Sequence, residues 1–129
     1  MTDYAMLLER ARTAMQFAYC PYSGTAVGAA LLTADGKIYT GCNVENASFG
    51  ATLCAERTAV AKAVSDGAEE FRAIAVISNL RFITPCGICR QVLREFAPEI
   101  EVVLETENGY TVKRLSELLP EGFSMKKGK

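Results

Sequence analysis

Five cysteines and no histidine limit the chemistry that this sequence can perform. Cys86 and Cys89 form a Cys-x-x-Cys pair directly after Pro85, and Cys54 stands two residues before Glu56. Residues three apart at the start of a helix lie on one side of it, so the two sulfurs of the pair can bind one metal ion. Because no imidazole is available, proton transfer near neutral pH must fall to a carboxylate or a thiol.

A site built from thiolates favours zinc. If Cys54, Cys86 and Cys89 bind one Zn²⁺, the fourth position stays open for water, which is typical of catalytic rather than structural zinc. Glu56 could then handle the proton of that water. Three thiolates leave the site with a net negative charge, which opposes acidification of the water. We expect Arg57 and the N-terminal ends of two helices to offset that charge.

Other interpretations of the cysteines remain open from the residues alone. A Cys-x-x-Cys pair also occurs in thioredoxin-like redox sites and structural zinc knots, and Cys54 could be a small buried hydrophobic residue. A fourth sulfur from Cys20 or Cys42 would close the metal and make the chain a non-catalytic zinc-stabilised module. Otherwise these two are ordinary buried thiols. The order Cys-x-Glu then Pro-Cys-x-x-Cys nevertheless fits the signature of zinc deaminases, with cysteine in place of histidine.

The composition describes one compact domain. The chain has 129 residues, of which 50% are hydrophobic and 22% charged, so we predict a single catalytic domain over residues 1–129. Fourteen basic and 15 acidic residues give a net charge of −1, which argues against a nucleic-acid partner. No apolar run approaches the ~20 residues of a membrane span, and residues 1–12 are too polar for a secretory signal. We therefore predict a cytoplasmic protein with no membrane partner.

Hydrophobic periodicity predicts the elements that position these residues. The predicted helices cover 3–19, 52–66, 86–97 and 116–119, and the predicted strands cover 26–34, 37–42, 72–78, 100–105 and 110–113. Strands that alternate with helices require a layered sheet covered on both faces. We expect a three-layer α/β/α sandwich with a mixed five-stranded sheet. Residues 124–129, which hold three lysines, are predicted to be a solvated end.

The motifs resemble those of the cytidine deaminases, specifically the short, homotetrameric, three-cysteine type that acts on free nucleosides. The matching segments, which together cover nearly the whole chain, are 19–23, 27–31, 41–47, 54–59, 85–91 and 118–120. The resemblance implies a cytidine-deaminase-like fold and a Zn²⁺ cofactor. It also implies hydrolytic deamination of cytidine and 2′-deoxycytidine to uridine and 2′-deoxyuridine plus ammonia, as in pyrimidine salvage.

The resemblance assigns the chemical step to four residues. Cys54, Cys86 and Cys89 would bind zinc. Glu56 would take the proton of the attacking water, pass it to N3 of cytosine and help to protonate the departing ammonia. The backbone of Ala55 and of Cys86 would meet the edge of the base.

Further substrate contacts are implied by the same resemblance. Asn43 and Glu45 would hold the sugar 3′-hydroxyl, and Ala47 and Phe49 would also lie at the substrate. Phe123 would reach into the site of a neighbouring subunit, so that sites of a homotetramer are completed by neighbours. Without the surrounding motif, Asn43 would be interpreted as a turn residue, Glu45 as an exposed acid and Phe123 as a terminal core anchor.

Two positions depart from the family pattern. Thr25 stands where the family usually has a phenylalanine beside the base, and Phe49 stands where a tyrosine usually reaches the 5′-hydroxyl. Loss of the stacking ring and loss of the hydroxyl contact would each weaken the binding free energy by about 1 kcal/mol. We therefore expect reduced affinity for cytidine or a preference shifted toward a modified nucleoside. A deaminase of a nucleoside antibiotic such as blasticidin S is the alternative, although residues 43–46 and 56–58 match the cytidine type better.

Overall fold

The computed structural model describes residues 1–125 as helices and strands that alternate as the sequence predicts. The elements are α1 (Tyr4–Met15), β1 (Val27–Thr33), β2 (Ile38–Cys42), α2 (Ala55–Ser65), β3 (Phe71–Ser78), α3 (Gly87–Phe96), β4 (Glu101–Thr106), β5 (Gly109–Arg114) and α4 (Leu115–Leu118). The predicted solvated end covers residues 124–129, of which residues 126–129, including all three lysines, lie outside the described part. Within it, no helix has the length and apolar character needed to cross a membrane.

The five strands form one mixed sheet in the order β2-β1-β3-β4-β5. Strands β3 and β4 are parallel, and every other neighbouring pair is antiparallel. The parallel pair is joined through α3, which is the crossover connection that such a pair requires. The register places Val27 opposite Ser78 and Gly28 opposite Cys42, so β2 and β3 both end beside the first residues of β1.

Helices cover both faces of the sheet and bury one core on each. On one face, α1 packs Leu7 and Ala11 against β1 and β3. On the other face, α2, α3 and α4 pack against the sheet through residues such as Val60, Leu93 and Leu115. The predicted three-layer α/β/α sandwich with a mixed five-stranded sheet is therefore confirmed.

Helix α2 lies unusually close to β2 at Gly41. A Cβ atom at this position would lie 2.5 Å from the carbonyl oxygen of Ala55 and 2.6 Å from the amide nitrogen of Ala59. Real Cβ atoms do not approach backbone that closely, so only glycine lets the first turns of α2 rest on the strand. This contact fixes the height at which α2 begins above the sheet.

The helix boundaries differ from the prediction where loop residues find other partners. Helix α1 ends at Met15 rather than at residue 19, because Tyr19 donates its N–H to the carbonyl of Asn43 and pairs with Val44 as an isolated bridge. Helix α2 begins at Ala55 rather than at residue 52. A short 3-10 helix at Phe49–Ala51, which the periodicity did not indicate, precedes it.

Candidate active site

The first turns of α2 and α3 bring three sulfur atoms together. Cys54 is the N-cap residue of α2, and Cys86 is the N-cap residue of α3. Their Sγ atoms lie 3.7 Å apart although the residues are 32 positions apart in sequence. The Sγ of Cys86 also accepts the N–H of Cys89 at 3.5 Å. The positive ends of two helix dipoles thus converge on the sulfurs and favour the thiolate form.

The sulfur cluster fits a tetrahedral zinc ion. The Sγ atoms of Cys54, Cys86 and Cys89 all lie within 4.8 Å of one another. A Zn–S bond of about 2.3 Å with tetrahedral angles places neighbouring sulfurs about 3.8 Å apart, close to the observed 3.7 Å contact. Within residues 1–125, no other His, Cys, Asp or Glu joins this group. Cys20 and Cys42 lie outside this group, so neither supplies a fourth sulfur here. Both are half-buried rather than fully buried as predicted.

The protonation of the sulfurs also indicates a cation site. A hydrogen bond from Cys89, assisted by the Arg57 guanidinium, lowers the pKa of Cys54 to about 5. The same hydrogen bond, with burial, raises the pKa of Cys89 above its ordinary range. The Cys54 thiolate is therefore stable, while ionisation of Cys89 is opposed by its hydrogen bond to Cys54, by burial and by neighbouring negative charge. A divalent cation is the partner that would allow all three thiols to ionise.

Arg57 lies where the sequence predicts the compensating charge. Its Nη2 atom donates to the Sγ of Cys54 at 3.4 Å and to the carbonyl of Thr52 at 3.4 Å. Its Nε is buried and has no hydrogen-bond partner among the described residues. A positive group in this position balances part of the charge on the thiolates.

Glu56 is an almost fully buried carboxyl group beside the sulfurs. Its exposed fraction is 3%, and desolvation raises its pKa to about 7. A carboxyl with such a pKa can both accept and donate a proton near neutral pH. The first turn of α2 places it two residues after Cys54, as the sequence motif requires.

A cavity of about 310 Å³ opens in front of Glu56 and the sulfurs. Its walls are formed by Ser23, Thr25, Val27, Asn43, Glu45, Thr52, Leu53, Cys54, Ala55, Glu56, Ile83 and Cys86. Six predicted site residues are thereby brought to one cavity, and Cys89 joins them through the sulfur cluster. Among the described residues that line the cavity there is no lysine, arginine or aromatic side chain.

Asn43 and Glu45 are polar residues of the cavity wall that already hold the backbone beside it. Asn43 is buried; its Nδ2 donates to the carbonyl of Thr25 at 2.7 Å, and its Oδ1 accepts the N–H of Val27 at 2.8 Å. The Glu45 carboxylate accepts from the N–H of Tyr22 at 2.9 Å and from both the N–H and the hydroxyl of Ser23. The hydrogen bond from the Ser23 hydroxyl lowers the pKa of Glu45, which therefore stays ionised.

Three predicted substrate contacts do not line this cavity. Ala47 is exposed, and Phe49 is 76% exposed, with its ring edge-on to Tyr22 at 6.1 Å between centroids. Phe123 is 65% exposed and is not a core anchor. Gln91 holds the backbone of Phe123 by accepting its N–H at 3.1 Å and donating to its carbonyl at 2.7 Å. The roles of these three residues in substrate binding remain predictions.

Sequence reasoning missed several residues that shape the cavity. Ser23 lies in a matching motif, but nothing in its pattern indicated that it would hold Glu45. Ile83 comes from the loop between β3 and α3, in which Arg81 and Phe82 both have positive φ values and no periodicity gives a signal. Asn79, the first residue after β3, likewise belongs to no sequence pattern that indicates its role beside the cavity.

Comparison with known proteins identifies relatives over nearly the whole chain. Residues 1–105 match the family described as the cytidine and deoxycytidylate deaminase zinc-binding region. A probable cytidine deaminase from Dictyostelium discoideum is 52% identical over 120 residues, covering 91% of this chain and 81% of the relative. The crystal structure of cytidine deaminase from Burkholderia pseudomallei has 48% identity and a TM-score of 0.87, covering 95% of this chain and all of that one.

A relative with a different substrate in its name is also similar. Blasticidin-S deaminase from Bacillus cereus is 35% identical over 104 residues, which cover 73% of this chain and 74% of that protein. The similarity to the protein from Dictyostelium discoideum is both higher and longer.

Proposed function

The chain belongs to the cytidine and deoxycytidylate deaminase family, and on that premise we propose that residues 1–129 form a single catalytic domain that deaminates cytidine and 2′-deoxycytidine. The products are uridine or 2′-deoxyuridine and ammonia. The observation that carries this proposal is the buried carboxyl of Glu56, which lines a cavity shared with Cys54 and Cys86 of the sulfur cluster.

The chemical step follows from the position of Glu56. Cys54, Cys86 and Cys89 would hold Zn²⁺, which when bound supplies a Lewis acid that makes a water molecule reactive near neutral pH. Glu56 accepts a proton from this attacking water and delivers it to N3 of cytosine while the water oxygen bonds to C4. Glu56 then carries the remaining water proton to the 4-amino nitrogen, the C4–N bond breaks and ammonia leaves.

Charge in the cavity favours a nucleoside over a nucleotide. A 5′-phosphate would bring nearly two negative charges, whereas the described lining holds the ionised Glu45 and no cation. Like charges repel, so cytidine should be used more efficiently than cytidine monophosphate by roughly tenfold or more. The same absence of cations from the lining supports the view that nucleic acid is not the substrate.

The sugar contacts of Asn43 and Glu45 are compatible with their existing hydrogen bonds. The Asn43 amide nitrogen carries a second hydrogen, and the Glu45 carboxylate retains lone pairs beyond those used by Tyr22 and Ser23. Both groups can therefore bind the 3′-hydroxyl without releasing the backbone that they support. Ala55 lines the cavity in the first turn of α2, which supports the proposal that its backbone meets the base.

Deamination of a modified cytosine nucleoside is the second candidate. Thr25 lines the cavity, and no aromatic ring of the described residues closes this wall over the base. A bulkier nucleoside would meet less obstruction here than beside an aromatic ring. The resemblance to blasticidin-S deaminase is consistent with such a substrate.

We also propose that the active form is a homotetramer in which Phe123 completes a neighbouring site. Phe123 is 65% exposed, which supports this assignment because its ring is accessible to a second chain. The five cysteines form no disulfide in the structure, which suits a reducing cytoplasmic location.

A substrate panel tests the proposed function. Zinc-loaded protein is mixed with cytidine, 2′-deoxycytidine, cytidine monophosphate, blasticidin S or a cytosine-containing single-stranded DNA. Loss of the cytosine ultraviolet band and release of ammonia are then followed. We expect turnover of the two nucleosides and little from the nucleotide or the DNA. Folded, zinc-loaded protein that releases no ammonia from any nucleoside would contradict the proposal.

A further inference from the structure

The cavity wall at residues 22–27, which we call the wall segment, is held mainly by side chains rather than by strand pairing. It leads into β1, whose first residue is Val27, and contributes Ser23, Thr25 and Val27 to the cavity. The backbone N–H groups of Tyr22 and Ser23 bond to Glu45, and that of Thr25 bonds to the Ser23 hydroxyl at 3.0 Å. The position of this wall therefore depends on which side chains hold the remaining backbone groups.

Two asparagines hold the second half of the wall segment from opposite sides. Asn43 is the first residue after β2, and its carboxamide bonds Thr25 O and Val27 N, as described above. Asn79 is the first residue after β3. Its Oδ1 accepts the N–H of Ala26 at 3.0 Å, and its Nδ2 donates to the carbonyl of Gly24 at 3.0 Å. Each carboxamide thus takes the place of a peptide group and continues an antiparallel ladder beyond the end of its strand.

Asn79 also binds the wall segment through its own backbone. Its N–H donates to the carbonyl of Ala26 at 3.1 Å, so this one residue satisfies three backbone groups within Gly24–Ala26. Gly24 has φ of +73° and makes no strand pairing; its N–H donates to the carbonyl of Cys20 at 3.0 Å, and its carbonyl is held by Asn79. The Asn79 carboxamide therefore restrains the peptide groups of Gly24 and Ala26, on either side of Thr25, whereas Asn43 holds those of Thr25 and Val27.

We propose that Asn79 is a positioning residue for the substrate cavity, which holds the Thr25 wall in its binding geometry without lining the cavity itself. This inference rests on the proposed function, because it concerns affinity for the nucleoside. Glu56 and the sulfur cluster lie on α2 and α3 and have no hydrogen bond to Asn79 within residues 1–125. Loss of the carboxamide should therefore weaken substrate binding and spare the chemical step.

Steady-state kinetics of Asn79→Ala give the first test. We expect KM for cytidine to rise roughly three- to tenfold, with kcat within about twofold of the unaltered protein, since two hydrogen bonds that preorganise the wall are lost. Asn108→Ala is the matched control, because Asn108 lies in the exposed turn between β4 and β5, and we expect unchanged constants. A fall in kcat with loss of bound zinc would show a general structural role and overturn the proposal, as would an unchanged KM.

Hydrogen exchange gives a second test that does not require activity. In Asn79→Ala, the amide of Ala26 should exchange about tenfold faster or more, whereas the amide of Val27, held by Asn43, should change little. Asn79→Asp keeps the acceptor for Ala26 and should restore most of its protection. An unchanged exchange rate at the Ala26 amide would overturn the proposal that Asn79 holds the wall segment. Absence of turnover by the unaltered protein, with the exchange pattern as expected, would instead refute only the proposed function.

Discussion

Glu56 combines burial with a position beside the sulfur cluster, and its replacement gives the most direct test at the residue scale. Glu56→Gln keeps the shape of the side chain and removes its ability to accept a proton. We expect kcat to fall roughly a hundredfold to ten-thousandfold while the protein stays folded and binds one zinc per chain. Activity assays, metal analysis and circular dichroism check this. Glu107→Gln, in an exposed turn, is the control, and equal activity of the two variants would refute the role of Glu56.

The hydroxyl of Ser23 controls the charge on Glu45. It lowers the pKa of that carboxyl, so the carboxylate persists as the pH falls below the ordinary range for glutamate. In Ser23→Ala the pKa of Glu45 should return upward, and the acid limb of cytidine binding, measured in a Glu56→Gln background where residue 56 does not titrate, should move to higher pH. A pH profile measures this, with Ser65→Ala as the control at an exposed serine. Superimposable acid limbs would show that Glu45 does not need its charge.

At the residue scale, the three cysteines chosen by spacing lie together in the structure, whereas three of the predicted substrate contacts do not line the cavity. Cys54, Cys86 and Cys89 can be identified from the sequence because their sulfur atoms come together whenever the starts of two helices lie side by side. The hydrogen bonds from Asn79 to the wall segment depend on the register between β1 and β3, which composition and periodicity do not predict. The exposure of Phe49 likewise follows from the 3-10 helix at Phe49–Ala51, which hydrophobic periodicity does not indicate.

Among the elements, the contact between α2 and β2 determines where the catalytic helix starts. Gly41→Ala would force a methyl group into the backbone of α2. We expect the free energy of unfolding to fall by about 1–3 kcal/mol and zinc affinity to fall with it, because Cys54 is carried by the displaced turn. Denaturant unfolding and zinc competition measure both. Gly50→Ala, where a methyl group meets no atom within 4 Å, is the control; equal effects would exclude the close approach as the cause.

Arg90 ties the cysteine loop to the C-terminal part of the fold. Its guanidinium donates to the carbonyl of Pro85 at 2.7 Å, to the hydroxyl of Thr84 at 2.9 Å and to the carbonyl of Leu118 at 2.6 Å. We expect Arg90→Ala to lower the free energy of unfolding by about 2 kcal/mol and to speed zinc release. Arg10→Ala, an exposed arginine on α1, serves for comparison. An unchanged rate of zinc release would show that Arg90 does not position the loop that carries Cys86.

Element order and type could be predicted from the sequence, whereas several boundaries could not. The nearly unbroken apolar run of β1 identifies a strand that is buried on both faces, and the alternation that follows it identifies β2. The end of α1 depends on a bridge between Tyr19 and Val44, which pairs residues from separate loops. Periodicity within a single segment carries no information about such a partner.

For the whole molecule, the exposed apolar side chains predict that the active unit contains several chains. Phe123→Ala should lower kcat/KM about fivefold by removing an aromatic contact from a neighbouring site. When this variant is mixed with inactive Glu56→Gln protein and allowed to exchange subunits, activity should exceed the sum of the two. A mixed assembly contains sites with an intact Glu56 and an intact neighbouring Phe123. Strictly additive activity would show that each chain works alone.

The sulfur contact between Cys54 and Cys86 also has a consequence for folding. The 32-residue separation encloses α2 and β3, so closing this loop carries an entropy cost, which the strand pairing of β3 with β1 helps to offset. We therefore expect the two hydrophobic cores to stabilise the framework without zinc, unlike the small zinc fingers that are unfolded without metal. Chelated protein should keep its far-ultraviolet circular dichroism, and added zinc should restore turnover without a refolding lag.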